Sequence, residues 1–255
     1  MNLSTSALEE RRPSLQAYAT AQRERTPYAL SIAAMLRLVQ EHLPIQRRIV
    51  HADDVIYQAG QRCTHLYIAN SGFFKLMNGA ADGREQVVAL HFKGDWLGFD
   101  GLATGQYCCD AIAMDIGEVW SVRYATLVER CTEVPALMNL LHAAMSQEMA
   151  RDRDFQLNLC TLPADARVAE FLRSLVVALE RRDLRTDRIT LRMSRAEIGS
   201  YLGMTLESAS RALSRLAREQ VIRFAGSGRR EVQIPDVKAL SDFVQRSVSP
   251  SSERH

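Results

Sequence analysis

The chain has 255 residues, 47% apolar and 24% charged, with a net charge of +2, which is enough for one or two folded domains with a real core. No stretch of about eighteen residues is apolar throughout, which excludes a helical membrane span, and the opening MNLSTSALEERRPS has no apolar run of the secretion-signal kind, so a cytoplasmic location is expected. The five cysteines (Cys63, Cys108, Cys109, Cys131 and Cys160) are odd in number and irregularly spaced, and read as free thiols rather than a disulfide framework.

Residues 1–26 are polar and charged without an apolar period and are expected to form a mobile tail. From Pro27, PYALSIAAMLRLVQEHL places apolar residues at helical spacing. Between about Ile45 and Arg123 the texture changes to short runs rich in Val, Ile, Tyr and Phe, as in RIVHADDVIYQAG, THLYIANSGFFKLMNGAADGREQVVALHF and DIGEVWSVRYATL. Turn residues punctuate them (SG, NG, DG), which predicts a compact antiparallel barrel or roll filling residues 27–132 behind the leading helix.

A long helix follows over 133–160. Leu141, Met145, Met149, Asp152, Gln156 and Leu159 recur along it at intervals of four and three, and Phe155 widens the stripe. Such a seam either docks on its own domain or pairs with a copy of itself. Residues 161–247 then mix helices and short strands, ahead of a tail at 248–255. In this part, Ser194 with Glu197 three later makes a capping box, Gly203 sits where a helix-ending glycine belongs, and Thr205 is a fitting N-cap for LESASRALSRLAREQ. VIRFAGSGRREVQIPD reads as two strands around a Gly-Ser-Gly turn. Two short helices across a glycine turn followed by a hairpin form a winged helix-turn-helix pattern, with Ala196, Ile198, Leu202, Leu206, Ala209, Leu213 and Leu216 as its packing face. Charge agrees: from Pro163 onward there are 17 Lys and Arg against 12 Asp and Glu, and before it 15 against 18, so an anionic partner is expected for the C-terminal part.

GDWLGFDGL, MSQEMARDRDF and above all RAEIGSYLGMTLESASRALSRL resemble the Fnr branch of the Crp/Fnr transcription regulators, over nearly the whole chain from about Ile45 to Ala239. The resemblance implies an α+β fold: an N-terminal sensory β-roll of jelly-roll type, a long dimerisation helix that uses the seam above to form a homodimer, and a C-terminal winged helix-turn-helix. It also implies double-stranded DNA and RNA polymerase as partners, with no membrane and no enzyme activity; no nucleophile–base pair, metal-ligand spacing or phosphate loop stands out. The rival from another class is a ligand-binding module acting on a protein partner, against which the winged helix speaks. The family's reading motif, E-x-x-S-R, falls on Glu207, Ser210 and Arg211. An acid accepts from cytosine N4, an arginine donates to guanine O6 and N7, and with one helical turn between them the two can brace each other. A palindromic TTGAT-like site is implied, and genes of oxygen-limited or nitrogen-oxide metabolism. Arg195, Thr205, Ser208, Arg215, Arg218, Arg229 and Arg230 are candidates for phosphate contacts, and Gly83 and Arg84, in the loop NGAADGREQ, for contact with polymerase.

The signal is where the sequence departs from the family. From Gly94 to Val122 there is no Lys or Arg to pair a nucleotide phosphate, and the text where a binding cassette is expected is YCCDA, so no cyclic-nucleotide response is expected. No cysteine precedes Cys63, and Trp120 stands where the family's roll cysteine is expected. Ligation of an iron–sulfur cluster takes about four thiolates, so neither cluster nor other metal is expected. Haem through His65, His91 or His142 is a minor alternative, as is redox sensing by Cys108 and Cys109, whose plainer reading is one residue inward and one outward. Cys160, near the hinge, is a third redox candidate and is expected to be buried. Asp152 is a misfit in an apolar seam; by family analogy it weakens the dimer until a signal stabilises it.

Overall fold

The computed structural model describes residues 30–79, 85–226 and 229–248. The expected tail at 1–26, the loop residues Gly83 and Arg84, and residues 249–255 lie outside these.

Helix α1 (Ile32–His42) begins at Ser31, whose hydroxyl accepts from the Ala34 amide at 3.2 Å, and buries Met35, Leu36 and Val39. Eight strands follow: β1 (Gln46–Val50), β2 (Val55–Tyr57), β3 (His65–Ser71), β4 (Phe73–Gly79), β5 (Glu85–Phe92), β6 (Trp96–Leu97), β7 (Asp110–Ala113) and β8 (Gly117–Arg123). They form two antiparallel four-stranded sheets, ordered β1-β8-β3-β6 and β2-β7-β4-β5, a jelly roll. The period-two alternation of a strand sorts the core. On β3 and β8, Leu66, Ile68, Trp120 and Val122 face the helices, while Ala69 and Val119 face the opposite sheet. The turn between β3 and β4 touches the start of β8 so closely that a Cβ on Gly117 would lie 2.6 Å from the Ser71 carbonyl oxygen.

The strand texture at the end of this region runs past the strand itself. Tyr124, expected within DIGEVWSVRYATL to be extended, starts helix α2 (Tyr124–Glu133), because Leu127 and Cys131, four apart, both bury. Helix α3 (Pro135–Thr161) is the long one, with proline in its first turn and only Leu137 and Leu141 buried. The C-terminal part comprises α4 (Ala164–Glu180), β9 (Arg188–Thr190), α5 (Arg195–Tyr201), α6 (Leu206–Arg218), β10 (Arg223–Ala225), β11 (Glu231–Gln233) and α7 (Val237–Val248). A sheet ordered β10-β11-β9 makes the wing. Helix α7 has no counterpart in the sequence reading; it buries Leu240 and Phe243 in the core around α4. Among the described residues no helix is long and apolar enough to cross a membrane.

The C-terminal head is docked on the roll. Met77 and Val87 of the β4–β5 hairpin belong to the same apolar cluster as Val168, Ile198 and Leu213. Polar contacts close over it. The Lys75 ammonium donates to Glu197 at 2.5 Å, the Val87 amide donates to the Ser200 hydroxyl at 3.3 Å, and Arg192 pairs with Asp115 at 2.7 Å while lying over the Phe73 ring. At the far edge Asp95 takes both Arg151 and Arg182, at 3.0 and 2.9 Å.

Candidate nucleic-acid interface

Local backbone chemistry builds the two-helix unit. Ser194 and Glu197 form a reciprocal capping box at the start of α5. Gly203 closes the turn at φ +62°, a left-handed conformation that suits glycine. Thr205 then caps α6, its hydroxyl accepting from the Ser208 amide at 3.2 Å. Ala209, Ala212, Leu213 and Leu216 fix the buried face of α6. Two expected packing residues fall elsewhere: Leu206, the first residue of the helix, is 46% exposed, and Ala196 is exposed on α5. Ala212 belongs in the buried set, since the stripe it shares with Ala209, Leu213 and Leu216 follows the helical period through α6.

The opposite face of α6 points outward. Glu207 and Arg211 are exposed and Ser210 half-buried beside them. The direct brace expected between Glu207 and Arg211 is not formed. Arg211 donates to the Ser208 hydroxyl at 3.2 Å. The Glu207 carboxyl is held below its usual range first by its own backbone amide, then by Thr205, with Arg211 contributing only through its charge. Unpaired amides at a helix N-terminus thus capture the acid ahead of a partner one turn away. A shallow recess beside these residues is lined by Asp165, Ser210, Arg211, Ser214, Arg215 and Arg218. Sequence reasoning passed over Ser214, although it stands seven residues from Glu207 on the same face, and Asp165, which no local signal marks.

The phosphate candidates divide into tied and open. Arg215 is held by Asp165 at 2.6 Å and Glu219 at 2.9 Å. Arg195 donates to the Arg229 carbonyl at 2.8 Å, and both guanidiniums lie over the Phe224 ring. Burial, and then the charge of Arg229, lower the Arg195 pKa. Arg218 and Arg230 are exposed, and the Thr205 and Ser208 hydroxyls lie 3.2 Å apart at the helix start.

Along α3, the seam residues Met149, Asp152 and Gln156 are exposed and Met145 and Leu159 half-buried. Two others make contacts within the chain. Leu141 is 6% exposed in the core between roll and helices, and Phe155 stacks on Tyr201 of α5 with ring centroids 4.4 Å apart. Leu157, 51% exposed, adds an apolar side chain to the uncovered face. Cys160 is exposed rather than buried, Cys108 is exposed and Cys109 buried.

Inside the roll, Tyr57 stacks between Tyr107 and Tyr67. The Tyr57 hydroxyl, Asp100 Oδ1, Glu148 Oε2 and both ring nitrogens of His91 are buried without a protein partner. His91 and Glu148 stand 4.0 Å apart. Burial pulls the imidazole down to about 4 and pushes the carboxyl up to about 7, Arg151 opposing the latter. A nucleotide phosphate does not fit these groups. It would meet carboxylates, and the nearby cations, Arg151 and Arg182, are both committed to Asp95. Of the three histidines considered for haem, His65 is hydrogen-bonded to the Thr64 hydroxyl at 2.9 Å, His142 is exposed, and His91 is the buried one. Among the described residues no group of three or more His, Cys, Asp or Glu is placed to hold a metal ion.

Residues 166–243 match the Crp-like helix-turn-helix domain and residues 47–133 the cyclic nucleotide-binding domain. The chain is 30% identical to the fumarate and nitrate reduction regulatory protein of Vibrio cholerae over 74% of each sequence. It belongs to the Crp/Fnr family of transcription regulators. Other relatives agree. The transcriptional regulatory protein btr of Bordetella pertussis is 28% identical over 81% of this chain and 82% of its own. The solved structure of FixK2 from Bradyrhizobium japonicum is 27% identical with a TM-score of 0.68, covering 83% of this chain and all of that one. As a Crp/Fnr protein the chain is a DNA-binding regulator and not an enzyme.

Proposed function

We propose that this Crp/Fnr regulator reads a palindromic TTGAT-like site as a homodimer, using Glu207, Ser210 and Arg211 of α6. The observation that carries the reading is the split character of α6: one face buried by Ala209, Ala212, Leu213 and Leu216, the other presenting Glu207 and Arg211 to solvent with Ser210 half-buried between them. Two-fold pairing along Met145, Met149, Asp152 and Gln156 of α3 imposes the palindrome. Arg218 and Arg230, exposed at the flanks, serve as phosphate contacts. The protein works in the cytoplasm with RNA polymerase, on genes of oxygen-limited or nitrogen-oxide metabolism; the names of the Vibrio relative and its kin support that regulon. The roll answers to a signal other than a cyclic nucleotide or an iron–sulfur cluster; the absence of Lys and Arg from Gly94 to Val122 and of any cysteine before Cys63 supports this reading.

The test is fluorescence anisotropy of the aerobically purified protein on a TTGAT–four-base–ATCAA duplex against a scrambled one. Sequence-dependent binding at nanomolar protein, weakened in R211A, supports the reading; equal affinity for the two duplexes refutes it.

A further inference from the structure

The turn between α5 and α6 sets the angle of the reading helix, and it is not held by α5 and α6 alone. Helix α5 ends at Tyr201 with Leu202 as its C-cap and Gly203 just beyond, and the carbonyls at its end, like those of any helix, lack partners within it. A side chain from α4 supplies them: Arg167 Nη1 donates to the Leu202 carbonyl at 2.6 Å and to the Gly203 carbonyl at 3.3 Å. A cation is the fitting donor there, because the helix C-terminus carries partial negative charge.

A second observation shows what this guanidinium is for. Its Nε is buried with no protein partner. A side chain placed for its own hydrogen bonding would not leave that donor idle; Arg167 is oriented by the turn it holds. The Leu159 side chain of α3 stands beside the same turn, 3.9 Å from where a Cβ on Gly203 would lie. Asp165, two residues before Arg167 on the first turn of α4, holds the other end of the reading helix through Arg215 at 2.6 Å. The first turn of α4, separated by two residues from the end of α3, thus holds both the α5–α6 turn and the far end of α6.

We propose that Arg167 is a positioning residue for base reading, fixing the α5–α6 turn so that Glu207, Ser210 and Arg211 meet base edges in register. This rests on the assignment of α6 as the reading helix. Hydrogen bonds to bases tolerate little misalignment, whereas phosphate contacts by long, flexible cations tolerate much. Loss of Arg167 therefore acts on specificity and spares sequence-independent affinity.

The experiment uses the full-length protein, with anisotropy on the TTGAT palindrome and its scrambled control across about 50–200 mM salt, for wild type, R167Q, R167K and R211A. Thermal melts report folding alongside. The expected result is about a tenfold loss of R167Q affinity for the palindrome, with scrambled-site affinity and salt slope as in wild type, and part of the loss recovered in R167K. Equal losses on both duplexes would show a merely structural residue and overturn the proposal, and so would unchanged palindrome affinity. A salt slope smaller by about one phosphate contact would show that Arg167 touches DNA itself, which also overturns it. If R167Q does not fold, R167K carries the test, with a smaller loss confined to the palindrome expected. A wild type that shows no preference for the palindrome defeats the base-reading assignment, and this inference with it; a wild type that prefers it, with R167Q equal to wild type, defeats this inference alone.

Discussion

The roll and the head handle polar groups in opposite ways. In the head, Ser194, Glu197 and Thr205 close their helix ends, and Glu207 and Arg211 stand in solvent. In the roll, Tyr57, His91 and Asp100, together with Glu148 of α3 packed beside them, take polar atoms out of water and leave them without a protein partner. In the head the one buried side-chain polar atom without a protein partner, among the described residues, is Arg167 Nε; the others lie in the roll or against it.

The largest effect that would sharpen the contrast is on the head's packing. Leu213 is 1% exposed beneath the reading face, and L213A is expected to lower unfolding stability by about 2–5 kcal/mol, measured by denaturant titration. A loss below about 1 kcal/mol would mean that the head is loosely packed. Next, R211A is expected to lose about 1–3 kcal/mol on the palindrome and little on scrambled DNA; an unaltered preference would break the picture of a base reader.

In the roll, pH separates the two buried groups. Glu148, raised to about 7 from its ordinary 4.5, binds a proton in the folded state that the unfolded state releases, so its share of stability falls as pH rises between those values. His91, lowered to about 4 from 6.5, acts the other way, and stability falls as pH drops through that window. Side by side the two slopes oppose. E148Q is expected to expose the histidine slope, with stability falling below pH 6.5. H91Q is expected to expose the acid slope, with stability falling as pH rises from 4.5 to 7. Each amounts to roughly 1 kcal/mol or more, read from chemical melts at a series of pH values. Flat profiles in both variants would remove the unpartnered burial from the account. The smallest change belongs to the head's rim. D165N releases Arg215 toward phosphate and takes a negative charge off the recess, so scrambled-site affinity is expected to rise and the salt slope to steepen by about 0.9. An unchanged slope would show that Arg215 stays with Glu219.

What was legible in the sequence follows the range of the forces involved. The capping box at Ser194, the left-handed glycine at Gly203 and the cap at Thr205 are chemistry within a few residues, and each forms where the text puts it. The two sheets of the roll follow from strand alternation and turn residues. Packing among distant segments left no such mark. Asp165 reaches Arg215 across fifty residues and Lys75 reaches Glu197 across 122. Helical period placed Phe155 on the seam but cannot say which neighbours a stripe meets, and its ring stacks on Tyr201 within the chain. The Glu207–Arg211 brace failed for a local reason: spacing alone does not weigh the free amides of the first turn against a side chain four residues on.

The carboxylate of Glu197 divides its two oxygens between two neighbourhoods. One accepts from the Ser194 amide at 2.7 Å and closes the first turn of α5; the other takes Lys75 from the roll. Fraying at the start of α5 is therefore not a private event of the head. An opening fluctuation there must release a strand of another domain, and the exchange of the Ser194 amide with solvent is set in part by how firmly β4 holds on.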